Sequence, residues 1–169
     1  MARDHARIQT AIWRDRDYRG LTMEAQWTYE AIASQEGLSY AGVIDYRPGR
    51  IAALAVNMTA KKVETAVKLL EDERFVVVDR LTEELLVRTY VRHDGVMDRS
   101  NMGKAVARAL AKVVSLDLRH AVLIELARLK RERPTLSGFV GFTELDPDGM
   151  AEIQAMQSAI PFPMESRRA

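Results

Sequence analysis

The sequence contains no cysteine among its 169 residues. This absence excludes disulfides, thiolate zinc sites, iron–sulfur clusters and cysteine nucleophiles. Long hydrophobic segments are also lacking, since the longest apolar run, residues 51–56, is far shorter than the roughly 20 residues of a membrane-spanning helix. Residues 1–5 lack the apolar stretch of a secretory signal peptide, so we expect a cytoplasmic protein without membrane contact.

Catalytic motifs are equally scarce. The histidines, His5, His93 and His120, are far apart and lack metal-ligand spacing, and no G-x-x-x-x-G-K-[ST] phosphate loop is present. Asp15 and Asp17 would share a metal only on a strand, and the arginines interleaved with them favour a solvated arm instead. We therefore expect no enzyme, no cofactor and no metal, and a metal-dependent nuclease is the least favoured hypothesis.

Charge is nearly balanced overall but unevenly distributed. The chain has 25 Lys plus Arg and 24 Asp plus Glu, a net charge of +1. Residues 99–133 hold nine basic and three acidic side chains, a net of +6, whereas residues 134–169 hold two basic and five acidic ones, a net of −3. Such a basic segment attracts a phosphate backbone, although the neutral total limits long-range attraction.

The first half of the chain alternates helical and strand patterns. Thr22 is a suitable N-cap for a first helix, and a short β-branched strand follows at residues 43–46. Pro48 begins a second helix of two turns. Before these elements, residues 8–20 form an N-terminal arm with two aromatic anchors that we expect to be buried, Trp13 and Tyr18.

A third helix and a hairpin complete this half. Thr59 caps a helix over about 60–72, whose apolar residues fall on one stripe: Val63, Ala66, Val67 and Leu70. Strands at 75–78 and 85–91 then form a hairpin. A helix pair joined by a tight turn and followed by a hairpin is typical of a winged helix-turn-helix.

The second half is predicted to be helical. Ser100 and Ser115 are candidate caps for two helices, the second of which ends at Arg133 and carries a broad apolar face over residues 116–129. The residues after it are acidic and loosely patterned, with one short helix beginning at Asp146-Pro147 that carries three apolar residues, Met150, Ile153 and Met156.

The predicted fold class is therefore mainly α with a small β-hairpin. A winged helix-turn-helix domain covers residues 1–97, and a basic helical extension covers residues 98–134. An acidic tail covers residues 135–169, and its order is left open.

The third helix carries the main candidate interface. When Val63 and Val67 face inward, the 100° step places Lys61, Thr65 and Lys68 on the opposite side, where they can bond phosphates or base edges. A solvated helix face has the same pattern, but the helix-turn-helix context favours the interface. Arg47 and Arg50 flank the second helix and are further candidates. Arg88, which shares a strand face with Arg92, is another. A basic ridge at i, i+4, i+8 spacing adds Lys104, Arg108 and Lys112. The complete set of candidate DNA contacts is Arg47, Arg50, Thr59, Lys61, Lys62, Thr65, Lys68, Arg88, Lys104, Arg108 and Lys112.

The hairpin loop is a weaker candidate. Its charged residues, Asp79, Arg80, Glu83 and Glu84, have a net charge of −2. Because acids near a phosphate cost affinity, we expect the wing to be structural or to contact a protein.

Several segments resemble the N-terminal winged-helix region of phage replication initiators and replisome organisers, above all helix-turn-helix proteins of actinobacterial phages and prophages. The similarity covers roughly residues 8–110. It is carried by Ile12-Trp13-Arg14-Asp15, Tyr18, Leu21, Ala25-Gln26, Tyr29, Gly42-Val43-Ile44, Arg50-Ile51-Ala52, Val77-Val78-Asp79, residues 83–88 and residues 91–95. Two departures are Ile51, where relatives are expected to have Trp, and Asp98-Arg99-Ser100, which replaces a Pro-containing stretch.

The resemblance implies a non-enzymatic, sequence-specific protein that binds double-stranded DNA in phage replication initiation or transcriptional control. It would act in the cytoplasm of a bacterial host, associated with the nucleoid. The alternative is a protein–protein interaction module on the same scaffold. In that case the apolar face of residues 116–129 makes a homodimer or captures a phage or host replication protein.

Overall fold

The computed structural model describes residue 6 and residues 8–159. Over this range the protein is mainly helical with a small antiparallel sheet of three strands, which confirms the predicted class. After a 3-10 turn at Thr10–Arg14, the elements are α1 Arg16–Arg19, α2 Met23–Ala33, β1 Val43–Asp45, α3 Pro48–Ala52, α4 Ala60–Asp72, β2 Val76–Asp79, β3 Glu84–Val87, α5 Tyr90–His93, α6 Ser100–Leu110, α7 Leu116–Glu132, α8 Gly138–Leu145 and α9 Pro147–Ala159.

Local capping sets where the N-terminal helices begin. Thr22 Oγ1 accepts a hydrogen bond from the Ala25 amide at 3.2 Å, and Thr59 Oγ1 accepts one from the Lys62 amide at 3.2 Å. Both caps are confirmed, as are the predicted bounds of α4. The stripe of α4 is buried throughout: Val63, Ala66, Val67 and Leu70. Ser115 caps α7 in the same way, through the Leu118 amide at 3.2 Å.

The sheet has the order β1-β3-β2, so β3 pairs with both neighbours. The second hairpin strand is shorter than the predicted residues 85–91, because it ends at Val87 and α5 follows. Tyr90 and Val91 are both buried, and successive residues of a strand would point to opposite faces of the sheet. A helical turn places both side chains in the core.

The N-terminal arm has one buried aromatic anchor. Tyr18 is fully buried, as expected, but Trp13 is 57% exposed, so its predicted burial is wrong. Trp13 packs edge-on against Tyr18, with ring centroids 5.6 Å apart, from a 3-10 turn that buries none of its own residues.

Helices α6 and α8 cross closely at glycine residues in the second half. A Cβ at Gly103 of α6 would lie 1.8 Å from the carbonyl oxygen of Gly138, at the start of α8. Phe139 and Phe142 of α8 and Ile153 of α9 are buried. Residues 138–159, within the segment expected to be an acidic tail, are thus two helices packed on α6 and α7.

The hairpin is attached to the start of α7 by an acidic side chain. The Glu84 carboxylate accepts hydrogen bonds from the Val114 amide at 3.1 Å and the Ser115 amide at 2.7 Å. Hydrogen bonding from the Ser115 hydroxyl, and from the Thr82 amide, lowers the pKa of Asp79. These carboxylates lie where the helix dipole favours negative charge, so the acidic hairpin stabilises its own contact with α7.

A buried carboxylate joins α7 to the end of the hairpin and to α5. The Glu125 side chain is only 2% exposed and accepts from Arg88 at 3.4 Å, Arg92 at 3.3 Å and Arg128 at 2.5 Å. Arg92 also pairs with Glu132 at 2.6 Å. The buried apolar residues of both halves form one continuous core around this cluster.

The glycine crossing predicts a large effect of one added methyl group. Gly103→Ala forces the α6 and α8 backbones apart, and we expect it to lower the free energy of unfolding by about 3 kcal/mol in urea titrations followed by circular dichroism. Gly49→Ala is the matched control, because a Cβ there meets nothing within 4 Å. Equal stability of the two variants would contradict the close crossing.

The Glu125 cluster predicts a second effect. Glu125→Gln leaves three arginines without their shared counter-charge. Loss of one partner of a fully buried pair costs about 3–5 kcal/mol, and partial exposure of these arginines reduces the expected loss to about 2 kcal/mol. Glu144→Gln breaks an exposed pair with Lys104 and should cost less than about 1 kcal/mol by the same measurement.

Candidate nucleic-acid interface

The outward face of α4 contains the four candidate residues of the third helix. Lys61, Lys62, Thr65 and Lys68 are all exposed, opposite the buried stripe. Their position follows from the helical period alone, since burial of Val63 and Val67 directs the other side of the helix to solvent. The structure therefore brings this part of the predicted site together.

Local hydrogen bonds hold these side chains. Lys62 Nζ donates to the Asn57 carbonyl oxygen at 2.9 Å, and Thr65 Oγ1 donates to the Lys61 carbonyl oxygen at 3.0 Å. Lys68 Nζ lies 2.5 Å from a carboxylate oxygen of Asp72, with both side chains more than half exposed. An exposed pair of this kind contributes less than about 1 kcal/mol, so a phosphate can replace Asp72.

Carboxylates on the same helix were missing from the predicted site. Glu64 is exposed one turn after Lys61, and α4 as a whole carries three lysines against Glu64, Glu71 and Asp72. Glu71 is engaged by the hairpin, because Arg80 donates to its two oxygens at 3.2 and 2.5 Å. The helix face is therefore mixed in charge, and its positive end is the first turn.

A shallow groove of about 420 Å³ lies beside that first turn, between α4 and the start of α2. It is lined by the capping residues Thr22 and Thr59 together with Lys61, Lys62 and Thr65. One acid, Glu24, and two apolar residues, Ala66 and Leu69, complete the lining. Hydroxyl and ammonium donors arranged in this way can bind an oxyanion such as a backbone phosphate. Thr59, predicted from the sequence as a contact, is placed here both as a cap and as a groove residue.

The two arginines of the second helix differ in environment. Arg47 precedes α3 and lies 3.6 Å from Asp45 and 3.7 Å from Glu83, so its charge is largely balanced by acids of the sheet and hairpin. Arg50 is exposed in α3 and forms no ion pair within residues 8–159. Of the two, Arg50 has the freer guanidinium.

Arg88 is directed inward. Its Nε donates to the Arg74 carbonyl oxygen at 2.6 Å, and its Nη1 reaches the buried Glu125. Arg92, expected on the same strand face, lies in α5 and contacts Glu125 as well. The structure therefore separates Arg88 from the exposed face of α4. The sequence around Arg88 does not indicate this contact, because Glu125 is 37 residues further along the chain.

The predicted ridge lies on α6 and on the turn after it, which carries Lys112, and it is only partly available. Lys104 Nζ lies 2.6 Å from the Glu144 carboxylate of α8, whereas Arg108 and Lys112 are exposed. Other basic residues of the segment are balanced in the same way, since Arg119 pairs with Asp146 and Arg133 with Asp98. Acids from outside residues 99–133 thus offset part of its charge excess.

In the described part of the chain, no group of three or more His, Asp or Glu side chains is arranged to hold a metal ion. Among these residues, no helix combines the length and hydrophobicity needed to cross a membrane.

Comparisons with protein-family models, with curated proteins and with solved structures give no match for this chain.

Proposed function

We propose that residues 16–87 form a winged helix-turn-helix that binds double-stranded DNA through α4. The arrangement of elements supports this proposal. Two helices, α3 and α4, are joined by a turn, and a hairpin follows whose inner strand also pairs with β1. This order is expected when a recognition helix is held on a small core by a hairpin wing.

The observation that carries the proposal is the exposure of Lys61, Lys62, Thr65 and Lys68 on one face of α4. The helix is 13 residues long, and two lysines lie in its first turn, where Thr59 caps the Lys62 amide. Arg50 and the threonine caps extend the donor surface on either side. This set can bond both phosphates and base edges.

The wing has a different role in this proposal. Two of its acids, Asp79 and Glu84, contact the start of α7, and Arg80 is engaged by Glu71. The third, Glu83, lies near Arg47. The wing therefore supports α4 and does not enter a groove. Exposed Arg108 and Lys112 are proposed to contact the phosphate backbone, while Arg47, Arg88 and Lys104 would first have to leave their carboxylate partners.

The proposed biological setting follows the sequence resemblance. We place the protein in phage or prophage replication initiation or transcriptional control, in the cytoplasm of a bacterial host and without catalytic activity. Footprinting that finds repeated sites at an origin supports the first role, and footprinting that finds a site over a promoter supports the second.

The interface predicts a loss of DNA affinity in one double variant. Lys61→Ala with Lys68→Ala should weaken binding of a duplex selected from a random pool by roughly tenfold or more, because two phosphate contacts are lost. The slope of log affinity against log salt should fall by about 0.9 for each lysine. Fluorescence anisotropy at several salt concentrations measures both quantities, and thermal unfolding should be unchanged.

Two controls separate this interface from general electrostatics. Arg16→Ala with Arg19→Ala removes the same charge from exposed positions of α1 and should leave affinity nearly unchanged. Glu64→Gln removes an acid from the α4 face and should tighten binding. If the α1 pair weakens binding as much as the lysine pair, α4 is not the interface.

A protein-interaction module is the second candidate, and one surface favours it. Leu81 at the hairpin tip is 94% exposed, and Val114 and Leu116 beside the Glu84 contact are 71% and 79% exposed. Exposed apolar patches often mark protein contacts. Most of the remaining apolar face of residues 116–129 packs within the chain, which supports the exposed patch over this face as the contact surface; the buried residues are Leu118, Val122, Leu123, Leu126, Ala127 and Leu129.

Analytical sedimentation at several protein concentrations tests whether the patch forms a homodimer. If the patch makes a homodimer, the mass doubles with concentration and Leu116→Asp restores the monomer. A strictly monomeric chain at all concentrations would contradict the homodimer.

A further inference from the structure

A second cavity, of about 340 Å³, lies where the N-terminal 3-10 turn, α2, the turn after α4 and α5 meet. It shares no lining residue with the groove beside the first turn of α4. Small-molecule sites in proteins are clefts of about 300–1,000 Å³. The cavity therefore has the size of a site for a small ligand, separate from the proposed DNA contact.

One wall of the cavity is aromatic and apolar. Tyr29 and Phe75 line it and pack edge-to-face, with ring centroids 5.6 Å apart, and Ile12 and Val87 extend the apolar surface. Burial raises the pKa of Tyr29 to about 12, so its phenol stays neutral at physiological pH. This wall offers ring surface to the body of a ligand and to a cation above it.

The remaining wall is rich in carboxylates. Five acids line the cavity: Asp15, Asp17, Glu30, Glu73 and Asp94. The basic lining residues are Arg74 and Arg88, and the second is already engaged by Glu125. Partial burial, with the neighbouring Arg92, lowers the pKa of His93, so this imidazole adds no positive charge at neutral pH. The cavity is thus net acidic.

Glu30 is the acid most firmly positioned. The Tyr18 hydroxyl donates to its Oε1 at 3.0 Å, and within residues 8–159 no donor contacts Oε2. Tyr18 is itself fully buried and packs against both Tyr29 and Phe75, with centroids 6.0 and 6.1 Å away. A carboxylate oxygen is therefore held in place next to the aromatic wall.

We propose that this cavity binds a small organic cation that has an apolar body. Its ammonium group pairs with Glu30 and the neighbouring carboxylates, and its body lies against Tyr29 and Phe75. An anion of the same shape is excluded, because the acids of the wall repel it. The proposal is independent of DNA binding.

Two cations and one anion of similar size test the proposal on the full chain. Phenethylamine and benzyltrimethylammonium should each shift the amide resonances of Tyr29, Phe75 and Thr89 saturably, at millimolar concentration, in nitrogen-15 correlation spectra. The anion 3-phenylpropionate should not. The proposal is overturned if neither cation gives saturable shifts at these residues, or if the anion binds equally well.

A matched pair of α2 variants identifies the carboxylate. Glu30→Gln should weaken cation binding by about fivefold or more, whereas Glu24→Gln, on the same helix but outside the cavity, should leave it unchanged. If Glu30→Gln does not fold, Asp17→Asn at an exposed wall position replaces it with the same expectation. Unchanged affinity in a folded variant of the cavity overturns the assignment.

Discussion

Burial of one apolar stripe of α4 is the constraint on which the account depends. Val63 and Val67 have no solvent exposure, and they pack into a core shared with the sheet and with α2. Because the helix is rigid, this burial directs Lys61 and Lys68 to solvent without any further interaction. The hairpin also contacts α4, because Arg80 pairs with Glu71. The orientation of α4 is therefore set both by its buried stripe and by this ion pair.

Acidic residues in this protein mostly organise its own basic residues and helix ends. Glu84 accepts hydrogen bonds from the backbone just before α7, Glu125 pairs with three arginines, and Glu144 pairs with Lys104. A charge count along the chain therefore overstates the field that a phosphate backbone would meet. Within residues 8–159, exposed cations without a carboxylate partner include Arg50, Lys61 and Lys62, and the two lysines line one groove. This distribution favours short-range contact over long-range attraction, in agreement with the small net charge.

Local signals predicted a large part of the fold. The bounds of α4, its buried stripe and the caps at Thr22, Thr59 and Ser115 all follow from residues within one or two turns. The long-range features left no such signal. The crossing of Gly103 with Gly138 and the partners of Arg88 and Lys104 join residues more than 30 positions apart. The sequence did not predict α8 for the same reason. Phe139 and Phe142 lie in a segment of acidic composition, and their burial depends on α6 and α7.

Within the candidate site, helical periodicity correctly predicted that the lysines lie on the exposed face of α4. The prediction did not include Glu64, which lies on the same face.

Lysine acetylation with and without a duplex, read by mass spectrometry, shows whether the α4 lysines contact DNA. Lys130 is the internal reference, because it is not among the proposed DNA contacts; its Nζ donates to the Pro134 carbonyl oxygen and lies over the Phe139 ring. A bound duplex should protect Lys61, Lys62 and Lys68, whereas Lys130 should react at the same rate as in the free protein. Saturable DNA binding that leaves the three α4 lysines as reactive as in the free protein would contradict this expectation.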